Sequence, residues 1–399
     1  MHPVEGIRGQ MSNRLSGKRI LLGITGSIAA VQCFELARDL IRHGADVEVV
    51  MSKEAAKLVT PYAMEFATGN PPITDIGGRV EHVDLCGESE DRVDLLLIAP
   101  CTANTISKMA LGIDDTPVTT FATTAIGTGI PVLVAPAMHG SMYRHPIVQK
   151  NVQALEEIGV EVIGPRFSMG KARIASNREL VARTLRALGR GDLSGKRLLI
   201  IGGSSEEPID GMRVITNKGT GETAVELASA AFERGADVEL WMGRHQIELP
   251  DYLEIRRFVR LRELEDMVGD IDHDLVMVPA ALSDYAPEEV EGKIPTSEEE
   301  LVLRLMPLPK LLSRLSEGDY RLVGFKAERG ITEGELRERA RSRLIEYGLD
   351  LIVANDLAMV NRGRTEVIII SKSGDEARAS GTKREVADRI LDEVSKVFS

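Results

Sequence analysis

The sequence has little cysteine, no long apolar run and no block of basic residues, and each absence excludes a class of protein. Three cysteines in 399 residues (Cys33, Cys86 and Cys101) cannot form a disulfide framework, so we expect a reducing compartment, the cytoplasm. No apolar run reaches the ~18 residues that a membrane span requires. The formal net charge is −12 without a basic stripe, which argues against a nucleic-acid partner because phosphate contacts dominate such binding.

Length and composition favour two globular domains. Hydrophobic residues make up 43% of the chain and charged residues 28%, which provides apolar side chains for two separate cores. Residues from Met1 to about Leu15 contain no apolar signal segment, and we expect them to form a frayed lead-in.

The sequence contains an internal repeat. Ser16–Gly23 (SGKRILLG) reappears as Ser194–Ile201 (SGKRLLII), and Gly44–Val49 (GADVEV) reappears as Gly235–Leu240 (GADVEL). Each copy predicts a buried strand, a glycine-rich turn, an amphipathic helix ended by a glycine, and a second strand. In the first copy the apolar helix positions share one face; they are Ala30, Cys33, Phe34, Ala37, Leu40 and Ile41.

Later apolar runs extend the same pattern. Leu95–Ile98 and Leu275–Val278 correspond between the copies, and Pro131–Pro136 and Leu351–Ala354 predict further strands. Strands that alternate with helices indicate parallel sheets with helices on both faces. We therefore predict an α/β fold of two doubly wound, Rossmann-like or flavodoxin-like domains, covering residues 1–190 and 191–399. Ligands of such folds bind beyond the carboxyl ends of the strands.

A glycine-rich turn, Gly23–Ile28 (GITGSI), follows the first strand. Backbone N–H groups at the start of the next helix can hold a phosphate there, although a tight turn without a ligand is an alternative interpretation. The turn lacks the GxGxxG spacing of a dinucleotide site, and the sequence contains no GxxxxGK[ST] phosphate loop.

Further motifs of the first domain lie beyond its later strands, and an isolated His82 lies upstream of them. The motifs are APCTANT at Ala99–Thr105, GIDDT at Gly112–Thr116 and PAMHGSMY at Pro136–Tyr143. Together with the glycine-rich turn they resemble the flavin-containing cysteine decarboxylase family, over about residues 18–186.

The resemblance implies flavin mononucleotide (FMN) as the cofactor, held by Gly26, Ser27, Ile28, Ser52, Thr102 and Asn104. It implies His82 as the catalytic base, a role that suits the ordinary pKa of histidine, whereas a lone histidine is more often structural. The expected substrate contacts are Met138, His139, Lys171 and Arg173. Hydride transfer from the substrate to flavin oxidises the thiol that neighbours the substrate carboxylate. This oxidation creates the electron sink that decarboxylation needs.

The first domain departs from the family pattern at two places. His139 occupies the position of the asparagine expected to hold the substrate, and an imidazole can also donate a hydrogen bond there. Many members carry a cysteine in a mobile clamp that assists the final reduction. The corresponding stretch here, Phe167–Ile174 (FSMGKARI), has Met169 near that place and no cysteine.

The second domain has a long loop, residues 202–221, after its first strand. The loop contains EPIDGMRVITN, and four further motifs follow: AALSDY at Ala280–Tyr285, GKI at Gly292–Ile294, VGFKAE at Val323–Glu328 and LDLIVAND at Leu349–Asp356. They resemble the phosphopantothenate–cysteine ligase family from about Leu193 onward. Fused in this order, the two halves resemble the bifunctional decarboxylase and ligase of coenzyme A biosynthesis.

This second resemblance implies a carboxylate activated by CTP as an acyl-cytidylate, which the amine of cysteine then attacks. Lys293 is expected to stabilise charge at the phosphates, Asp284 to recognise cytosine and Asn217 to hold the acyl intermediate. Arg213 is expected to bind 4′-phosphopantothenate. The other expected nucleotide contacts are Ala280, Pro309, Lys310, Phe325 and Arg343; Tyr347 occupies a position where the family often has lysine.

The resemblance also has implications for metal and assembly. Magnesium is expected with the triphosphate, but no dedicated carboxylate cluster for it can be identified in the sequence, so its ligands are unknown. The flavin family forms trimers and the ligase family dimers, which implies a homo-oligomer and, by closed symmetry, a dodecamer.

Two other functions compete with this one. A nicotinamide-dependent reductase on two Rossmann-like halves is disfavoured by the absence of GxGxxG. A flavoprotein regulatory subunit with a decayed first site is disfavoured by the presence of His82, Asn217 and Lys293, although His139 and the missing clamp cysteine are compatible with it.

Overall fold

The computed structural model describes residues 2–168, 171–295, 300–356 and 364–398. The chain divides into two compact units, Met1–Gly189 (unit 1) and Arg190–Ser399 (unit 2), each with its own central sheet and hydrophobic core. In the described ranges, no helix is both long enough and apolar enough to cross a bilayer.

Unit 1 alternates strands with helices. Its strands are β1 (Arg19–Ile24), β2 (Asp46–Met51), β3 (Leu95–Cys101), β4 (Val132–Pro136), β5 (Met138–His139), β6 (Glu161–Val162), β7 (Arg166–Ser168) and β8 (Lys171–Arg173). Its helices are α1 (Cys33–Arg42), α2 (Pro61–Thr68), α3 (Glu81–Cys86), α4 (Ala103–Ala110), α5 (Pro117–Gly127), α6 (Gly140–Tyr143), α7 (Pro146–Glu157) and α8 (Asn177–Leu188).

The central sheet of unit 1 is parallel throughout, in the order β2-β1-β3-β4-β6. This is the flavodoxin-like order, in which the strand sequence reverses between β1 and β3 and leaves a crevice at their carboxyl ends. A second, antiparallel sheet in the order β5-β8-β7 lies beyond β4. The α/β class and the doubly wound arrangement predicted for this half are confirmed.

Both faces of the parallel sheet are buried, as the continuous apolar run of β1 requires. Ile20 and Leu22 belong to one core cluster, whereas Leu21 belongs to the cluster on the opposite face. In α1 the predicted apolar face is largely correct, but Phe34 is only partly buried and Leu36 is fully buried in its place.

The prediction of a frayed lead-in was wrong. Val4 and Leu15 are 2% and 1% exposed, and both belong to the core of unit 1. The backbone N–H of Gly9 donates to Ile41 O at 3.1 Å, and the N–H of Leu15 donates to His43 O at 2.9 Å. The segment therefore satisfies carbonyl groups at the end of α1 that have no partner within the helix.

Unit 2 begins with the second copy of the repeat. Its strands are β9 (Arg197–Gly202), β10 (Glu206–Pro208), β11 (Val214–Thr216), β12 (Asp237–Met242), β13 (Glu254–Arg257), β14 (Leu275–Val278), β15 (Tyr285–Pro287), β16 (Leu305–Pro307), β17 (Arg321–Glu328), β18 (Leu351–Asp356), β19 (Arg364–Ser371) and β20 (Glu376–Thr382). Its helices are α9 (Glu222–Glu233), α10 (Leu261–Met267), α11 (Leu311–Leu315), α12 (Glu333–Glu346) and α13 (Lys383–Val397).

The main sheet of unit 2 has the order β13-β12-β9-β14-β17-β18-β19-β20. The strands from β13 to β18 are parallel, as predicted, but β19 and β20 are antiparallel to their neighbours. The reason is that both connections are short: only residues 357–363 separate β18 from β19, and the turn from β19 to β20 contains Gly374 at a φ of 96°. A turn this short can return the chain only as a hairpin, because a parallel partner needs a long crossover.

Candidate active sites

A cavity of about 900 Å³ opens at the carboxyl ends of the strands of unit 1. Its size falls within the ~300–1,000 Å³ typical of small-molecule sites. The lining includes residues from the loops after β1, β2, β3 and β4: Gly26, Ser27, Ser52, Thr102, Asn104 and Met138. Of the expected flavin contacts, Ile28 alone is missing from this lining, and its side chain is 73% exposed.

Thr25 fastens the loop after β1 to the loop after β3. Its Oγ1 donates to Pro100 O at 2.7 Å and accepts from the N–H of Thr102 at 3.1 Å. Next to it, a Cβ added to Gly26 would lie 2.5 Å from the Cβ of Glu54, so only glycine fits. The resulting cradle of hydroxyl and N–H groups suits the phosphate and ring edges of FMN.

Both lysines that line this cavity are paired with carboxylates. Lys108 Nζ lies 2.7 Å from Asp115 Oδ1, and Lys53 Nζ lies 3.8 Å from Asp75 Oδ1. A phosphate in the cavity would therefore be held mainly by neutral donors of the loops.

His139 directly follows Met138 of the cavity lining and is exposed in the three-stranded sheet, but it is not among the described lining residues. Its Nδ1 lies 2.9 Å from Ser141 Oγ and accepts from the backbone N–H of Ser141 at 3.4 Å, while Met138 and Met142 line the cavity itself. Because a backbone N–H can only donate, Nδ1 is the unprotonated nitrogen and Nε2 carries the proton of the neutral ring. His139 can thus offer an N–H to a ligand, as the asparagine amide of the family pattern would.

The strands β7 and β8 form a hairpin that pairs with the strand carrying His139. Arg166 fixes the base of the hairpin through Glu179 on α8, with Arg166 Nη2 at 2.6 Å from Glu179 Oε2. Arg173 is exposed on β8. The backbone of Lys171 pairs opposite His139, but its side chain and the whole of Met169 lie outside the described residues.

His82 lies on α3 and is partly buried. Its Nδ1 is buried without a hydrogen-bond partner, and its ring stands almost perpendicular to that of Phe121, with centroids 6.3 Å apart. The described lining of the unit 1 cavity does not include His82. The expected base and the expected flavin contacts are therefore not brought together within one copy of the chain.

Cys101 is fully buried at the end of β3, in a core cluster. Burial raises the pKa of its thiol well above the ordinary value. These properties belong to a small packing residue.

In unit 2, Asn217 connects the long loop after β9 to the loop after β14. Its Nδ2 donates to Ala281 O at 3.0 Å and to Leu282 O at 2.9 Å. Beneath it, Ser205 Oγ donates to Ser283 Oγ at 3.1 Å and accepts from the N–H of Ser283 at 3.0 Å. Two motifs separated in sequence thus lie side by side at the carboxyl end of the sheet.

A smaller cavity of about 110 Å³ lies next to this junction. Its lining includes every expected nucleotide contact except Lys293, namely Ala280, Asp284, Pro309, Lys310, Phe325 and Arg343. Tyr347 also lines it. Asp284 and Lys310 form an ion pair with each other. Tyr347 is 8% exposed, and burial, followed by Glu346, raises the pKa of its hydroxyl.

Lys293 is exposed on a loop and is not among the described residues that line this cavity. Asp210 Oδ2 accepts from the N–H of Ile294 at 3.0 Å and pairs with Arg213 Nη1 at 2.8 Å. Arg213 also donates to Ile294 O at 3.3 Å. Arg213, an expected substrate contact, therefore fastens the loop that carries Lys293 to the long loop after β9.

The sequence analysis missed several residues that build these sites: Thr25, Lys108, Asp115, Ser205, Asp210 and Ser283. Most of them lie inside or beside the motifs that the sequence analysis identified. The signal that could have found them is a polar residue just beyond a buried strand. Within the described part of the chain, His, Cys, Asp and Glu form no group of three or more able to hold a metal ion.

A protein-family model matches each half of the chain. The Flavoprotein family model matches residues 8–189, and the model of the DNA/pantothenate metabolism flavoprotein C-terminal domain matches residues 193–398. The coenzyme A biosynthesis bifunctional protein CoaBC of Thermococcus kodakarensis is 45% identical over 408 residues, covering 100% of both chains. CoaBC of Methanocaldococcus jannaschii is 37% identical and covers 100% of this chain and 98% of its own.

Among solved structures, the DNA/pantothenate metabolism flavoprotein of Streptococcus pneumoniae is similar to 51% of this chain over 100% of its own length. The sequence identity is 25% and the TM-score is 0.48.

Proposed function

The chain belongs to the family of coenzyme A biosynthesis bifunctional proteins, and on that premise we propose the two reactions that it catalyses. Unit 2 joins 4′-phosphopantothenate to cysteine at the expense of CTP, and unit 1 decarboxylates the product to 4′-phosphopantetheine with FMN. One observation carries the proposal: each unit has a cavity at the carboxyl ends of its strands, lined by residues of the motifs that suggest the reaction.

In unit 1, the FMN would be held by Gly26, Ser27, Ser52, Thr102 and Asn104, whose loops form the cradle. When bound, FMN supplies the two-electron acceptor that makes the carbon next to the carboxylate able to lose carbon dioxide.

The substrate would lie at the rim of the same cavity. The Nε2–H of His139 donates to its carboxylate or amide, and the cationic side chains of Lys171 and Arg173 attract its phosphate. Donors already in place lower the barrier because they do not reorganise during the reaction.

We propose that His82 serves as the base from a neighbouring copy of the chain. Its buried, unpartnered Nδ1 and its absence from the described lining of its own cavity support this arrangement. This arrangement requires a homo-oligomer, and the family resemblance implies trimers of unit 1 and dimers of unit 2 that combine into a closed dodecamer. The buried, free thiols of the three cysteines support a reducing compartment, and we propose the cytoplasm.

In unit 2, a carboxylate oxygen of 4′-phosphopantothenate attacks the α-phosphorus of CTP, and the bond to pyrophosphate breaks. Lys293, Lys310 and Arg343 supply positive charge at the phosphates, and Mg²⁺ enters the site bound to the triphosphate. The amine of cysteine then attacks the acyl carbon, and CMP leaves. The Nδ2 of Asn217 donates to two loop carbonyls, so its Oδ1 remains to accept a hydrogen bond from the acyl intermediate.

A mass-resolved assay with 4′-phosphopantothenate, cysteine, CTP and Mg²⁺ tests the proposal. We expect 4′-phosphopantothenoylcysteine to appear first and 4′-phosphopantetheine to follow. Ligation without carbon dioxide release would contradict the first reaction and favour a flavoprotein with a decayed first site. Absence of both products, with turnover of a reduced nicotinamide, would contradict the whole proposal.

A further inference from the structure

The ion pair between Asp284 and Lys310 joins two side chains with different expected partners. Asp284 is expected to accept a hydrogen bond from the base of the nucleotide, and Lys310 is expected to attract its phosphates. Their side chains are 63% and 44% exposed, so the pair is open to solvent and to an incoming ligand. Each group neutralises part of the charge of the other, so the pair weakens what either side chain offers to the nucleotide.

The backbone around the pair is fixed. Leu308 N–H donates to Asp284 O at 2.9 Å, which holds the segment before Lys310 against the loop after β14. That loop is itself fastened by the contacts of Asn217 and Ser205. Separation of the pair therefore requires only side-chain rotation.

The cavity is too small for a whole nucleotide. Its volume of about 110 Å³ is below the ~300 Å³ at which small-molecule sites begin. A whole nucleotide therefore either extends beyond the cavity or displaces side chains along its wall, and the exposed Asp284 and Lys310 are among those free to rotate.

We propose that nucleotide binding exchanges this ion pair: Asp284 turns to the exocyclic amino group of cytosine, and the released Lys310 turns to the phosphates. The inference rests on the proposed function of unit 2. Recognition of the base and binding of the phosphates are then coupled. A uracil base has a carbonyl oxygen where cytosine has its amino group. Because that oxygen cannot donate a hydrogen bond to Asp284, a uracil nucleotide leaves Lys310 paired with Asp284. The exchange thus makes this pair a determinant of specificity.

Two substitutions in the full-length protein test the exchange. Asp284→Asn removes the charge that holds Lys310, so inorganic triphosphate should bind about two- to fivefold more tightly than to the wild type, the range for an exposed pair. Lys310→Met frees Asp284, so cytidine should bind more tightly while triphosphate binds more weakly. Lys396→Met breaks an exposed pair with Glu393 on α13 and should change neither affinity.

The wild-type protein gives an independent measurement. Saturating cytidine should increase its affinity for inorganic triphosphate, and triphosphate should increase its affinity for cytidine by the same factor, because coupling between two ligands is reciprocal. Calorimetric titration in magnesium buffer measures both.

The outcomes separate the exchange from the function it rests on. If cytidine and triphosphate bind the wild type independently, or if Asp284→Asn binds triphosphate no more tightly, the exchange is wrong. The function of unit 2 still stands in that case if both substitutions weaken CTP binding. If CTP binding and ligation are unchanged in both variants, the assignment of this cavity to the nucleotide is itself wrong.

Discussion

At the scale of the single residue, His82 combines a buried, unpartnered Nδ1 with an expected role in proton transfer. We predict that His82→Asn lowers the rate of carbon dioxide release by roughly 10²–10⁴-fold, the usual contribution of a general acid or base, and leaves ligation intact. His145→Asn is a matched control, because His145 is an exposed helix cap outside the described cavity lining. Equal loss of ligation in a folded His82 variant would show that the two reactions are not divided between the units.

The final reduction requires a proton for the enethiol, and Phe167–Ile174 contains no cysteine to supply it. We predict that His139→Asn slows this step more than Cys101→Ala does. His139 is exposed next to Met138 of the cavity lining, whereas the thiol of Cys101 is fully buried and its pKa is raised by that burial. Single-turnover flavin absorbance with product analysis measures the step. Wild-type yields of 4′-phosphopantetheine from His139→Asn would contradict this role.

Asn217 and Lys293 serve different steps of the proposed ligation. We predict that Asn217→Asp still forms the acyl-cytidylate but uses it about 10²-fold more slowly, because a carboxylate cannot donate to Ala281 O and Leu282 O. Lys293→Gln should block its formation. Quenched-flow mass spectrometry separates the two effects, and an acyl-cytidylate that accumulates in the Lys293 variant would refute the assignment.

At the scale of the secondary-structure element, the segment before β1 depends on a neutral histidine. Ser12 Oγ lies 2.7 Å from His43 Nδ1 at the end of α1, and burial lowers the pKa of His43 from 6.5 to about 4. Between these values the unfolded chain binds a proton that the folded chain does not. This contribution to stability is complete above about pH 6.5 and is lost as the pH falls toward 4.

We predict that His43→Gln flattens the pH dependence of the melting temperature of the protein between pH 4 and 6.5. The glutamine amide can still accept from Ser12, but it does not titrate. His145→Asn, at an exposed helix cap where asparagine can also cap the helix, serves as the control. A profile that stays as steep as the wild type would mean that other groups cause the loss of stability.

The elements that the sequence predicted correctly are those with strong local signals. The apolar runs of β1, β3, β9 and β14 and the glycines that end α1 and α9 belong to this group. The antiparallel β19 and β20 were missed because strand direction depends on the length of a connection and not on the residues of the strand. The order in residues 2–15 was missed because it comes from distant contacts with α1.

At the scale of the whole molecule, the repeat allowed both cavities to be anticipated, because a doubly wound sheet presents its loops at one edge. Most of the contacts expected from the motifs lie in a cavity lining: five of the six for the flavin and six of the seven for the nucleotide. The sequence could not predict two features. The pairing of Asp284 with Lys310 arises only when the loops meet, and the absence of His82 from the described lining of the unit 1 cavity depends on where α3 packs.

The central claim is that one chain makes a cysteine amide and then removes the carboxylate of that cysteine. Cysteine labelled with ¹³C at its carboxyl carbon, supplied with 4′-phosphopantothenate, Mg²⁺ and the FMN-loaded protein, tests this claim most directly. We predict that labelled carbon dioxide is released only when CTP is present, one molecule for each 4′-phosphopantetheine formed. Labelled carbon dioxide released without CTP, or labelled 4′-phosphopantothenoylcysteine that accumulates with none released, would contradict the claim.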